Sequence, residues 1–250
     1  MKRFGDLEYA CARVGARMGE RPDEAAWRAI AGIRGFAAFL EAARTPPFRR
    51  WTGGIAADGD PHGVEAVLLG HWRTLVDEVC VWMPEKWHAA ISWVGALGDL
   101  PVAQYLARGG VPLPWMRDDP VYRELSRSGG PPTSGTLVPL AATWTSPEGF
   151  FRAWTEEWSL RVPDLADAEP GAISDYTRLL TAGRAAPLDA PAGDGMPARR
   201  ALSSRLIALY RRAMLDPAAV FIFLALSALD IERLRGELVR RAIFPGLGSL

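Results

Sequence analysis

The sequence has little cysteine and histidine, and each shortage removes support for a class of site. Cys11 and Cys80 are the only cysteines, and neither belongs to a Cys-x-x-Cys pair, so a zinc or dithiol redox motif has no support. Both lie in apolar helical patterns, which indicates buried free thiols. His71 and His88 have no acid at catalytic spacing and no Ser or Cys nucleophile signature beside them. We therefore expect them to be ordinary core or surface histidines.

An excess of charge of one sign and long apolar runs are also lacking. Basic and acidic residues balance at 29 each, so overall charge gives no support for binding nucleic acid or an anionic membrane. Lys2 and Lys86 are the only lysines, a bias typical of a GC-rich genome. No apolar run reaches the roughly 18 residues of a membrane span, and charges are present throughout the first residues. These features predict a soluble, cytoplasmic protein.

Helical periodicity is abundant, because hydrophobic residues recur every three or four positions along most of the chain. The predicted helices cover residues 6–18, 22–40, 62–83, 85–97, 99–108, 120–125, 147–158, 173–180, 198–215, 218–229 and 230–244. Gly32 and Gly35 are expected to divide the second region into two helices. One short strand is expected within 136–144, and 183–197 reads as a mobile Pro/Gly-rich loop. The fold class is therefore all-α, with long Pro/Gly loops.

The C-terminal stretch carries the clearest local signals. Residues 216–217, Asp-Pro, are a helix start, and the apolar run 218–229 that follows is hydrophobic nearly all round, which predicts a buried helix. Asp230 is expected to cap a second helix. In that helix Glu237 precedes Arg241 by four residues, the favourable order for an ion pair.

Three segments resemble the V-type and archaeal-type ATPase subunit called C or d, the AC39 family. The segment DPAAVFIFLALSALDIERLRGELVRRAIFPGL is similar to the family's C-terminal end, including a closing Arg-Arg-Ala-aromatic run that contains Arg241. YACARVGARMG, with Tyr9 and Arg13, resembles its opening helix. DLPVAQYLARG places Asp99 where the family caps a helix, although Gly98 stands where the family has Asn. The chain is also shorter than usual members.

The resemblance implies a non-enzymatic, all-helical subunit without cofactors. Family members are built from related helical units, for which 1–108, 117–182 and 198–250 are the candidate ranges here, and a funnel is the expected shape. The expected partners are the central-stalk subunits and the membrane proteolipid ring of a rotary ATPase, between which the subunit transmits rotation. It would lie on the cytoplasmic face of the membrane without spanning it, and would be a monomer when isolated.

The residues themselves contain no metal set, catalytic triad, phosphate loop or dinucleotide fingerprint at the required spacing. Two helices carry basic faces that suit an acidic partner. The candidate partner contacts are Arg199, Arg205, Arg212, Arg235 and Arg240.

Two other functions fit the same sequence. A small-molecule-binding or enzymatic helical protein would use the tryptophan-rich centre together with His71 and His88, provided that these side chains line an open pocket of roughly 300–1,000 Å³. The tryptophans in question are Trp72, Trp82, Trp87 and Trp93. Otherwise they fill the core between helices. The third alternative is a helical adaptor unrelated to ATPases, with the same surface and different partners.

Overall fold

The computed structural model describes residues 4–163, 171–189 and 195–244, and within these ranges the chain forms α-helices and short 3-10 helices without any strand. The α-helices are α1 (Phe4–Gly19), α2 (Glu24–Ala31), α3 (Phe36–Ala43), α4 (Arg49–Thr52), α5 (Pro61–Trp82), α6 (His88–Ala107), α7 (Pro114–Asp118), α8 (Arg123–Ser128), α9 (Phe150–Arg161), α10 (Ala172–Asp189), α11 (Gly195–Arg212) and α12 (Ala218–Ile243). Three 3-10 helices lie at Glu85–Trp87, Val138–Thr143 and Pro147–Gly149. The predicted all-α class is confirmed.

Aspartates begin three of these helices, among them the helix predicted to start at Asp216. The Asp23 carboxylate accepts a hydrogen bond from the Ala26 amide at 2.7 Å. Asp60 accepts from the amides of two residues in the first turn of α5, at 2.9 and 3.0 Å. Asp216 accepts from the Ala218 amide at 2.7 Å. Each carboxylate accepts a hydrogen bond from backbone N–H groups of the first turn, which have no acceptor within the helix.

Helix α12 lies at the centre of the molecule. Every side chain from Ala218 to Leu226 is buried, because α1, α3, α5, α10 and α11 all pack around this helix. Arg235, in the second half of α12, forms an ion pair with Glu65, near the start of α5. A run that is hydrophobic all round is what an enclosed helix requires.

The predicted division of this stretch into two helices is wrong. Helix α12 continues without a break from Ala218 to Ile243. Asp230 does not cap a helix, because its carboxylate accepts a hydrogen bond from Arg21 Nε at 2.8 Å. With neither Gly nor Pro near this point, nothing stops the helix.

Residues 85–108 differ from prediction in the same way. A 3-10 turn leads into one helix, α6, which passes through Pro101 instead of restarting at Asp99. Asp99 is buried inside α6 and binds side chains from other elements, so it does not cap a helix. The flanking residues Leu100 and Val102 are buried, and their packing holds the helix together although the proline lacks an amide donor.

The predicted strand within 136–144 is also absent, since this segment forms the 3-10 helix Val138–Thr143. Leu137 and Leu140 are both buried, and their spacing of three residues matches the period of a 3-10 helix.

The predicted loop 183–197 is helical at both ends. Helix α10 extends to Asp189 and α11 begins at Gly195, while residues 190–194 lie outside the part of the chain that the structure describes. The predicted mobility of this loop is not tested.

The predicted burial of the cysteines is met only in part. Cys11 is buried and Cys80 half-buried, and both are free thiols. In α11 Leu206 and Leu209 are buried, but Met214 is 57 % exposed because α11 ends before it.

The hydrophobic core is continuous. It takes side chains from all three predicted units, among them Trp93, Trp158 and Leu234. The division into related units and the funnel shape stay predictions. No described helix is both long enough and apolar enough to cross a membrane.

Candidate functional site

Three of the five arginines proposed as partner contacts instead connect parts of this chain. Arg199 Nη2 lies 2.6 Å from a carboxylate oxygen of Glu232, which ties α11 to α12. Arg235 pairs with Glu65 of α5 at 3.2 Å. Arg240 pairs at 3.0 Å with an acid of its own helix, three residues earlier. These side chains are partly exposed, but their charges already have partners.

The other two, Arg205 and Arg212, are exposed and take part in no ion pair within the described ranges. They are seven residues apart on α11, which places them on one face of the helix. Immediately after this helix come two exposed apolar side chains, Met214 at 57 % and Leu215 at 78 % exposure. We call these four residues the turn surface.

The local structure explains why apolar side chains point outward here. Ala213 is buried, and the Asp216 amide donates to its carbonyl at 2.9 Å. The Asp216 carboxylate then begins α12. These two fixed points leave Met214 and Leu215 on the outside of a tight turn.

The turn surface lies at one end of the helix bundle. Helix α1 runs parallel to α12, because Cys11 lies near Asp216 at the start of α12 and Arg21 lies near Asp230 further along. Helices α5 and α11 run the opposite way, because their first halves pair with the second half of α12 and their last turns, at Trp82 and Tyr210, lie beside α1. The start of α12 and the middle of α1 therefore lie beside the last turns of α5 and α11.

Two positions of the family pattern are at this end. Tyr9 is 53 % exposed, and the Arg13 guanidinium lies 5.0 Å from the centre of the Trp82 ring. Val81, in the last turn of α5, is 81 % exposed. This end of the bundle therefore presents apolar and cationic side chains together, a combination that suits a protein interface.

The third family position, Asp99, belongs to a buried polar cluster. One of its oxygens accepts from the Tyr122 hydroxyl at 2.5 Å and from Arg73 Nη2 at 2.7 Å. The other end of the Arg73 guanidinium binds Asp119 at 2.6 Å. Burial raises the pKa of both Asp99 and Tyr122. The cluster joins α5, α6 and the segment after α7, and its contacts are structural.

The fourth, Arg241, is 4 % exposed and also faces inward. It donates to the carbonyl oxygens of Ala31 and Ile33, each at 2.9 Å, and it pairs with Glu237 as predicted. Its guanidinium lies 3.9 Å from the centre of the Phe39 ring. Arg241 thus holds the turn between α2 and α3 on α12.

The tryptophan-rich centre is packed core. All four tryptophans of the proposed aromatic site are at most 7 % exposed. Trp93 and Trp154 each donate an indole hydrogen bond to the other's carbonyl, at 2.9 and 3.0 Å. His71 and His88 lie 2.8 Å from backbone carbonyl oxygens of Gly53 and Met83. This arrangement lacks the open pocket that the small-molecule function requires.

An open pocket does exist elsewhere. It lies between α8 and the loop that follows it, and its volume is about 560 Å³. Its lining residues are Pro120, Val121, Arg123, Glu124, Arg127, Ser128, Ser134, Gly135 and Thr136. Sequence reasoning missed this site. The available signal was a pair of arginines four residues apart, followed by a loop rich in Ser and Thr.

Among the described residues, no group of three or more His, Cys, Asp or Glu side chains is arranged to hold a metal ion. Comparison of the chain with protein-family models, with curated proteins and with solved structures finds no match.

Proposed function

We propose that this chain is a non-catalytic coupling subunit of a rotary V- or A-type ATPase, which connects the central stalk to the membrane proteolipid ring and transmits rotation. The proposal rests first on the resemblance of the α1 and α12 sequences to that family. The all-helical fold is compatible with it. The polar cluster around Asp99 and the tryptophan centre are both built into the core, which favours a mechanical role over a catalytic one.

The structural observation that supports the proposal is the turn surface at one end of the bundle. Arg205 and Arg212 offer guanidinium groups that form no ion pair among the described residues, and Met214 and Leu215 offer apolar area. A partner with acidic and apolar side chains would neutralise the two guanidinium groups and bury the two apolar side chains. Behind this surface α12 runs through the centre of a close-packed core, which transmits force with little deformation.

Under this proposal the protein works at the cytoplasmic face of the membrane, with no nucleotide or cofactor of its own. The turn surface binds one of the two partners, the stalk or the ring. The arginines that pair with Glu65, Glu232 and Glu237 serve to stiffen the body.

The deciding experiment is affinity purification of the tagged full chain from its native cells in mild detergent, with identification of what co-purifies. We expect the stalk subunits and the proteolipid ring. A variant that combines Arg212→Glu, Met214→Ser and Leu215→Ser should lose at least one of them. The control, Arg108→Glu with Val111→Ser, changes exposed residues at the opposite end of the bundle and should recover both.

Recovery of neither partner, with a monodisperse monomer instead, would overturn the coupling role. The turn surface does not depend on the family resemblance, so it also favours a second function, a helical adaptor outside the ATPases. The adaptor function would be established if the chain recovered a defined set of partners without the stalk subunits or the ring, and if the turn-surface variant lost those partners.

A further inference from the structure

The open pocket beside α8 has the size and composition of a ligand site. Its volume of about 560 Å³ falls in the range of small-molecule pockets, roughly 300–1,000 Å³. Pro120 and Val121 form an apolar part of the wall. Arg123 and Arg127, one helical turn apart, contribute two cations.

The carboxylate between these arginines, that of Glu124, is bound by the loop. The hydroxyl groups of Thr133 and Ser134 donate to its two oxygens. These hydrogen bonds lower the pKa of Glu124. Each oxygen of the carboxylate therefore has a donor from the loop.

Among the described residues the two arginines have no carboxylate partner. Arg127 lies three residues after Glu124, at the spacing of a helical ion pair, yet within the described residues neither arginine of the pocket takes part in one. Arg123 donates one hydrogen bond to the Asp118 carbonyl, at 3.1 Å. A guanidinium group has five N–H donors, so most remain available for a ligand.

The same contacts build the opposite wall. Gly129 ends α8 with a φ of 64°, a left-handed conformation that turns the chain back on itself. The loop then returns beside α8, where Thr133 and Ser134 are tied to Glu124. The pocket is therefore formed before any ligand arrives, which reduces the entropy lost on binding.

We propose that this pocket binds a soluble phosphate monoester, with the phosphate group between Arg123 and Arg127 and the organic part against Pro120 and Val121. Guanidinium groups bind phosphate through paired, charge-assisted hydrogen bonds. A dianion balances two arginines, whereas the only carboxylate in the lining, that of Glu124, is held by the hydroxyl groups of Thr133 and Ser134. This site is separate from the turn surface and independent of the coupling role.

The test is isothermal titration of the full chain with phenyl phosphate and with inorganic phosphate. We expect phenyl phosphate to bind more tightly, because its ring contacts the apolar wall. Arg123→Ala and Arg127→Ala should each weaken binding about tenfold or more, since each removes charge-assisted hydrogen bonds. The control is Arg152→Ala, an exposed arginine on α9 whose nearest acid is 3.9 Å away, and it should bind like the parent chain.

Several outcomes would overturn the proposal. It would be overturned if phenyl phosphate did not bind in the millimolar range. It would also be overturned if Arg123→Ala and Arg127→Ala bound it as tightly as the parent chain, or if Arg152→Ala weakened binding as much as they do. Binding to vesicles that contain phosphatidic acid, dependent on Arg123 and Arg127 but without binding in solution, would assign the arginines to a lipid headgroup instead. Partner recovery by the pocket variants should match that of the parent chain, which separates this site from the coupling role.

Discussion

Single residues show how burial acts on charge in this protein, and Asp230 is the clearest case. Its side chain is 10 % exposed, and Arg21 Nε donates to it at 2.8 Å. Burial raises the pKa of Asp230 to about 6, although the Arg21 charge acts in the opposite direction. The other charges near it are Arg233 and Glu24, and the cleft beside it is lined by Arg17, Glu20 and Arg50.

We expect Asp230 to make stability depend on pH. Its pKa is higher in the folded chain than the ordinary value of 3.8, so the folded state binds the proton more tightly. The resulting stabilisation is fully present below pH 4 and is lost as pH rises towards 6. Its size is about 2 to 3 kcal/mol, at about 1.4 kcal/mol per pKa unit.

Urea unfolding of the parent chain and of Asp230→Asn at pH 4, 5, 6 and 7 measures this effect. The free energy of unfolding of the parent, relative to the variant, should fall between pH 4 and pH 6 and then stay constant. Because both proteins share every other titrating group, the difference isolates Asp230. A difference that is the same at all four pH values would contradict the assignment.

At the scale of elements, α12 organises its neighbours through polar contacts as well as apolar packing. Near its C-terminal end, Arg241 lies beneath the α2–α3 turn and binds the carbonyl oxygens of Ala31 and Ile33. Its neighbour Arg240 is more exposed and pairs only within α12. Adjacent residues of the same type therefore have different roles.

We predict that Arg241→Ala lowers the free energy of unfolding by about 2 to 4 kcal/mol, because it leaves two carbonyl groups and Glu237 without their buried partner. Arg240→Ala should cost less than about 1 kcal/mol, as is usual for a partly exposed pair. Urea unfolding gives both values. Hydrogen exchange should also show faster exchange of the α2 and α3 amides in Arg241→Ala only. Equal effects of the two substitutions would contradict the role given to Arg241.

Local signals predicted the elements well where the deciding contacts are local. Asp60 and Asp216 begin helices as their sequence positions indicate, since each carboxylate binds an amide two residues later. Asp230 and Asp99 gave the same signal in helix interiors, where their partners are Arg21, Arg73 and Tyr122. Those partners are distant in sequence, so single-sequence patterns do not identify them.

The two candidate sites were predictable to different degrees. Arg205 and Arg212 of the turn surface follow from the basic face of α11. The exposure of Met214 does not, because it depends on where α11 ends. In the pocket the arginine spacing is visible in the sequence, but the occupation of Glu124 by Thr133 and Ser134 depends on how the loop folds back.

At the scale of the whole molecule, the described residues share one continuous core, which bears on the three predicted units. Helices from each candidate range supply buried side chains to that core, and α12 contacts α1, α5 and α10. Units that share a core in this way depend on one another for burial of apolar surface.

We expect unfolding in urea to be one cooperative transition. Tryptophan fluorescence reports on ten side chains between α2 and α9, whereas far-UV circular dichroism reports on all helices. The two probes should give the same midpoint. Separate transitions would show that the candidate units are independently stable, and limited proteolysis at the midpoint would then identify which unit unfolds first.

The central position of α12 also has a consequence for synthesis. A ribosome makes this helix after α1 to α11, yet those helices need it to cover their apolar faces. Until α12 emerges, the nascent chain exposes hydrophobic surface that invites aggregation and chaperone binding. The native core is therefore completed late, when the last described helix inserts among helices that already exist.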